Sequence, residues 1–184
     1  YVSDPADPVP YSARITTERG TRYMIEDQRF AAKRADVLSY QSEVLTESVT
    51  LTGPIAANLF ASTSGSDSDF IVKLIDVLPD DQQMLVRWEV MRGKFRNSYV
   101  NPEPFKPNEP TKVTIKLNDV AHRFKPGHRL MVQVQSSMFP LIDRNPHKFL
   151  DIYHAQDTDF QKATQRIHRA GAFASHLSVL MRKD

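Results

Sequence analysis

A chain of 184 residues, 40% apolar and 25% charged, has room for one well-buried core and too little length for two full domains. Its 24 basic and 22 acidic side chains nearly balance, which argues against a nucleic-acid binder, and no stretch approaches the roughly 18 apolar residues of a membrane span. The absence of cysteine removes disulfides, thiolate nucleophiles and cysteine-based zinc sites, while leaving the compartment, bacterial periplasm or cytoplasm, undecided.

In chain order, Tyr1 to Pro10 carries three prolines and suits an extended linker. Tyr11 to Arg34 is dense in charge and weak in apolar pattern, so residues 1–34 read as a linker and N-terminal arm wrapped over something larger. The chain opens on Tyr1 with no leader pattern, which suggests a piece of a longer protein. From residue 35 to 184, short apolar runs bounded by turn residues predict an all-β sandwich or barrel, and eight strands suit a jelly roll. The predicted strands are Val37 to Tyr40, Val49 to Thr52, Ile55 to Ser62, Phe70 to Leu78, Met84 to Phe95, Thr111 to Leu117, Arg129 to Gln135 and Leu177 to Met181.

Phe70, Val72 and Leu74 face one way and Ile71, Ile75 and Val77 the other, which predicts a central strand covered on both sides. Trp88 shares its predicted face with Met84, Val86 and Val90 and reads as a core or inter-domain residue. Gly65 in Ser64-Gly65-Ser66 suits a turn with positive φ, and Pro79-Asp80-Asp81 a hairpin. The four prolines of Asn101 to Pro110 end a strand, leaving Tyr99 and Phe105 free for contact. Phe160, Ala163, Thr164 and Ile167 recur at helical spacing, which predicts a short helix within Asp157 to His168.

Catalytic chemistry is missing from the pattern. There is no G-x-S-x-G elbow to present a strained nucleophile, and no Gly-rich phosphate loop. The six histidines show no H-x-x-x-H or H-E-x-x-H spacing, so no metal or cofactor is implied. Asp67, Asp69 and Asp76 could be imagined around calcium, but turn capping is the simpler reading. Arg92, Lys94 and Arg96 would form a solvated basic row on one strand face, or a docking patch.

The densest chemistry lies between Phe124 and Pro146. A Pro126-Gly127 turn leads into a strand with Leu130, Val132 and Val134 on one face, then a loop gathering Ser136, Ser137, Phe139, Pro140, Asp143, Arg144, Asn145 and Pro146. Asp143 and Arg144 could pair with each other, with another strand or with a neighbouring domain.

The segments Gly127 to Pro146, Asp27 to Leu45, Ser64 to Asp81 and Arg166 to Lys183 together resemble, in order, the C-terminal domain of CocE/NonD hydrolases, the X-Pro dipeptidyl-peptidase-like serine hydrolases. The resemblance implies a non-catalytic all-β jelly-roll (galactose-binding-like) β-sandwich, with a short helix and the N-terminal arm, packed on the α/β-hydrolase domain of the same parent chain. Ser, Asp and His of the triad would lie in that other domain, so this chain would carry no catalytic residue. Phe139, Pro140, Asp143, Arg144 and Asn145 become expected inter-domain contacts. Thr17 and Glu18 fall where the family presents apolar residues to substrate, so they are expected at the wall of the active-site cleft. A small ester or amide substrate would be met only in the intact protein, which could also form homo-oligomers. The competing reading is an independent carbohydrate- or partner-binding jelly-roll module.

Overall fold

The computed structural model describes residues 1–14, 16, 18 and 20–182. Among these, ten strands form two antiparallel sheets packed face to face as an all-β sandwich. The larger sheet is built on β3 (Val49–Thr63), paired along most of its length with β6 (Thr111–Phe124). The other side of β3 is covered in succession by β8 (Ala163–Ile167), β9 (His176–Ser178) and β10 (Met181–Arg182), with β1 (Val2–Ser3) added outside β8. The smaller sheet runs β2 (Leu38–Gln41), β7 (Arg129–Gln135), β4 (Asp69–Val77), β5 (Gln83–Arg92).

The core follows from the two-residue period. Ala57, Leu59 and Ala61 of β3, Val113, Ile115 and Leu117 of β6, and Phe70, Val72 and Leu74 of β4 meet between the sheets. Burying each large apolar side chain there contributes ~1.5–3 kcal/mol, enough in sum to oppose the ordering of the chain. The two predicted runs Val49 to Thr52 and Ile55 to Ser62 are one strand. Gly53, at φ +85°, and a register shift between Pro54 and Ala56 bend it without ending it.

Every residue of β4 is buried, as its two-sided apolar pattern predicts. Ile71, Ile75 and Val77 lie on the face away from the sandwich core, grouped with Tyr11, Tyr23, Trp88, Leu85 and Met131. Residues before Val37 supply much of that cover. Val9, Tyr11, Tyr23, Gln28 and Ala31 are buried, and a one-turn helix α1 (Arg29–Ala32) sits beside them. Gln28 N–H donates to the Gln83 carbonyl, fastening this segment to β5.

Four sequence readings are corrected. The helix expected within Asp157 to His168 is a 3-10 turn (Asp157–Asp159) followed by β8, because Ala163 and Gln165 alternate inward and Gln165 to Ile167 pair with Thr63 to Ala61. Phe105 is buried rather than free, wedged edge-on against Phe70 with its rings' centres 6.1 Å apart. Gly65 is required by a close approach instead of a positive φ: a Cβ there would collide with the His147 carbonyl. Trp88 shares its face with Val90 but with neither Met84 nor Val86: Leu74 pairs with Arg87 and Ile75 with Leu85, leaving Val86 as the extra residue of a bulge that turns it into the main core, and Met84 pairs with Asp76 on the face opposite Lys73, the partner of Trp88.

Candidate inter-domain docking face

After β7 the chain turns outward at Ser136 and is held by the N-terminal segment. Phe139 N–H donates to the Val9 carbonyl at 2.9 Å and Tyr11 N–H donates to the Phe139 carbonyl at 3.0 Å, a short parallel bridge. Val9 N–H also donates to Ser137 Oγ, and the Tyr1 hydroxyl meets Ser136 Oγ, each at 2.8 Å. Burial pushes the Tyr1 hydroxyl above its ordinary pKa, so it stays protonated. Met138 drops into the core beside Tyr11, Tyr23 and Ile71, while the adjoining Phe139 ring remains 38% exposed.

Arg144 is the hinge of this surface. Its Nη1 donates to the Pro5 carbonyl at 2.9 Å, and its guanidinium stands 5.6 Å from the Phe139 ring centre and 4.9 Å from that of Phe160. Such cation–π contacts fix both rings without burying them. Asp143 does not pair with Arg144; its side chain is exposed, and its carbonyl accepts from Arg92 at 3.3 Å. Pro140 is exposed at the tip. Phe139, Asp143, Arg144, Ile152, Tyr153 and Phe160 line one shallow hollow of about 190 Å³. Tyr153 in this hollow is 81% exposed, and Phe149, in the same turn-rich segment of the chain, is 41% exposed. Sequence reasoning passed over these two. Their signal was a turn-rich stretch from His147 to Phe160 with aromatics but no strand alternation.

Asn145 differs from its neighbours. It is buried, with Nδ2 donating to Asp67 at 3.1 Å and Asp69 at 2.8 Å, and Oδ1 accepting from His147 N–H at 2.8 Å. It braces the loop from beneath and offers no surface to a partner. The three aspartates weighed for calcium are all committed to protein groups. Asp67 accepts from the backbone of Ser68 and Lys94, Asp69 pairs with Arg92 at 3.2 Å, and Asp76 bridges His122 and His128, each at 2.8 Å. Burial pushes Asp69 up to about 6, outweighing the nearby Arg92 charge, and pushes His147 down to about 4.

The basic row is dispersed, since β5 ends at Arg92 and a 3-10 turn (Gly93–Phe95) redirects the backbone before Arg96. Lys94 is buried and donates to the Leu150 carbonyl at 2.7 Å, whereas the Arg96 guanidinium lies 4.3 Å from the Phe105 ring centre. Arg92 and Lys94 thus tie the end of β5 to the segment that carries the aromatics.

Thr17 lies outside the described residues. Glu18 is exposed, with its carbonyl accepting from the Tyr11 hydroxyl at 2.9 Å and its N–H donating to Thr16 Oγ1 at 3.0 Å. The backbone bond to Tyr11 ties this stretch to the residue that also grips Phe139. Among the described residues, no group of three or more histidines and carboxylates is placed to hold a metal. Among them, too, no helix is long and apolar enough to cross a membrane.

The sequence profile of the X-Pro dipeptidyl-peptidase C-terminal non-catalytic domain matches residues 9–178. The chain belongs to that family. It is 40% identical over 177 residues to cocaine esterase of a Rhodococcus species, covering 96% of this chain and 31% of that protein. It superposes with a TM-score of 0.96 on an α-amino acid ester hydrolase at 43% identity, covering 99% of this chain and 32% of the other. An aminopeptidase from a marine sediment Thaumarchaeota archaeon matches with a TM-score of 0.95 at 40% identity, over 100% of this chain and 33% of that one. The chain therefore spans about a third of the length of these relatives, and it corresponds to the non-catalytic C-terminal domain of CocE/NonD-type hydrolases.

Proposed function

We propose that this X-Pro dipeptidyl-peptidase C-terminal domain packs on the α/β-hydrolase domain of a larger serine hydrolase through the Phe139 face. The parent would act on a small ester or amide. The observation that carries this reading is the exposed aromatic surface of Phe139 and Tyr153 at one hollow, with Phe139 held in place by Arg144. Aromatic side chains fixed in place and left half in water are what a permanent domain contact would bury, since little ordering entropy remains to be lost. The relatives' names, an esterase, an ester hydrolase and an aminopeptidase, are consistent with acyl transfer in the parent. Pro140, Asp143 and Arg144 sit at this contact, with Asn145 as its internal brace. Glu18, joined to the same loop through Tyr11, and Thr17, its neighbour in sequence, are proposed to wall the cleft. Their polar side chains would favour a more polar acyl group than an apolar wall would.

The experiment is the pair Phe139→Ser and Tyr153→Asp, made both in the full-length parent and in this chain. The expected result is a fall of ~5 °C in the parent's unfolding temperature with loss of ester hydrolysis, while this chain melts within ~2 °C of its unsubstituted form. A parent unchanged in both stability and activity would refute the docking role.

A further inference from the structure

The edge of the sandwich away from β5 and β6 is incompletely closed. On β3, β8 pairs only with Ala61 to Thr63 and β9 only with Ala56 to Asn58. Between them, Leu59 and Phe60 are spanned by the loop from His168 to Ser175, whose ends bond the Phe60 backbone: His168 N–H donates to its carbonyl and Ser175 Oγ accepts from its N–H, each at 2.9 Å. Opposite, β2 contributes four residues and leaves the sheet edge short. The two gaps face each other, and a cavity of about 270 Å³ enters the core there.

Its composition is one-sided. Leu59, Val72 and Val134 form a floor belonging to the main core, while Ile167 and Leu177 make the wall nearer the rim. Tyr40 and Arg169 stand at the mouth, with the exposed guanidinium 5.6 Å from the Tyr40 ring centre. Among the described residues Arg169 has no carboxylate in ion-pair range, unlike Arg29, Arg34, Arg92 and Arg96. Ser175, also on the lining, accepts from Phe60 N–H and keeps its hydroxyl proton to donate.

We propose that this slot binds a small monocarboxylate with a hydrocarbon body, its chain against Leu59, Val72 and Val134 and its carboxylate at Arg169. An apolar cavity of about 150 Å³ already admits benzene and excludes water, so one of about 270 Å³ has room for a chain of roughly eight carbons. The guanidinium fork supplies the one strong polar contact that such a ligand needs, and its stacking on Tyr40 holds the fork in place. This assignment is independent of the docking face at Phe139, which is built from other residues.

The test is calorimetric titration of the full 184-residue chain with octanoate and, separately, with octan-1-ol. Octanoate should bind at one site with Kd on the order of 0.1 mM, and the alcohol about tenfold more weakly. Arg169→Gln, an exposed change, should remove that difference by weakening octanoate alone. Leu177→Trp, which fills the slot from its rim, should abolish binding of both. Absence of saturable octanoate binding, equal affinity for acid and alcohol, or octanoate affinity untouched by Arg169→Gln would each overturn the proposal. So would self-association abolished by Leu177→Trp, which would make a second copy the occupant.

Discussion

Replacing Lys73 by methionine should stabilise the chain near neutral pH, and the advantage should shrink as the solution is made alkaline. Lys73 is fully buried on β4, its Nζ donating to Gln28 Oε1 at 2.9 Å and standing 5.8 Å from the Phe30 ring centre. Burial pushes its pKa down from 10.5 to about 7, opposed in part by Glu26. Between those two values the unfolded chain carries a proton on this amine that the folded chain does not, so stability at this site rises with pH. At ~1.4 kcal/mol per pH unit, the full window from about 7 to 10.5 corresponds to ~5 kcal/mol as an upper bound. Methionine keeps most of the aliphatic stem and has no such dependence; its cost is the lost hydrogen bond to Gln28, ~1 kcal/mol. Urea unfolding of both proteins from about pH 6.5 to 10 measures the difference, with titrations common to the two cancelling. A difference that stays constant to within ~1 kcal/mol across that range would refute a neutral buried amine.

Three further outcomes concern the brace beneath the docking loop. Asn145→Ala leaves Asp67 and Asp69 without their amide donor and should cost ~2–3 kcal/mol in chemical unfolding, and amide hydrogen exchange should speed up in residues 141–149. His147, pushed down to about 4, is neutral in the fold where the unfolded chain is protonated, so its contribution to stability is lost as pH falls from about 6.5 toward 4. His147→Gln should therefore gain up to ~3 kcal/mol relative to the parent sequence over that window, read from urea midpoints. Asp69 runs the other way: its raised pKa gives stability at low pH that is lost as pH rises through about 6, so Asp69→Asn should show the opposite trend.

Much of this architecture was legible along the chain. Alternation alone placed Arg129–Gln135 as a strand and made β4 a strand covered on both faces, and the Pro126-Gly127 turn has the positive φ that its glycine allows. The loop after β7 stood out by its mix of aromatic and charged side chains, and its Phe139 is indeed exposed. The family was legible too, in four ordered blocks. What failed did so where a residue's fate depends on a distant partner. Ala163 to Ile167 fits a helical period as well as a strand period, and only the free edge of β3 decides between them. Phe105 is polar-flanked and proline-rich in sequence, yet it is buried because Phe70 and Gly93 leave a space of its shape.

The sequence by itself determined that the chain is built of strands, that β4 is apolar on both faces and that no nucleophile elbow is present, because these depend on period and on motif spacing. Only the tertiary structure decided what covers each face. It turned Asn145 inward onto two buried carboxylates, spread Arg92, Lys94 and Arg96 among three different tasks, set Arg144 between two rings, and stacked Arg169 on Tyr40 over an open edge. An arginine or an aromatic is compatible with a brace, an interface or a ligand site, and its neighbours in space choose among them.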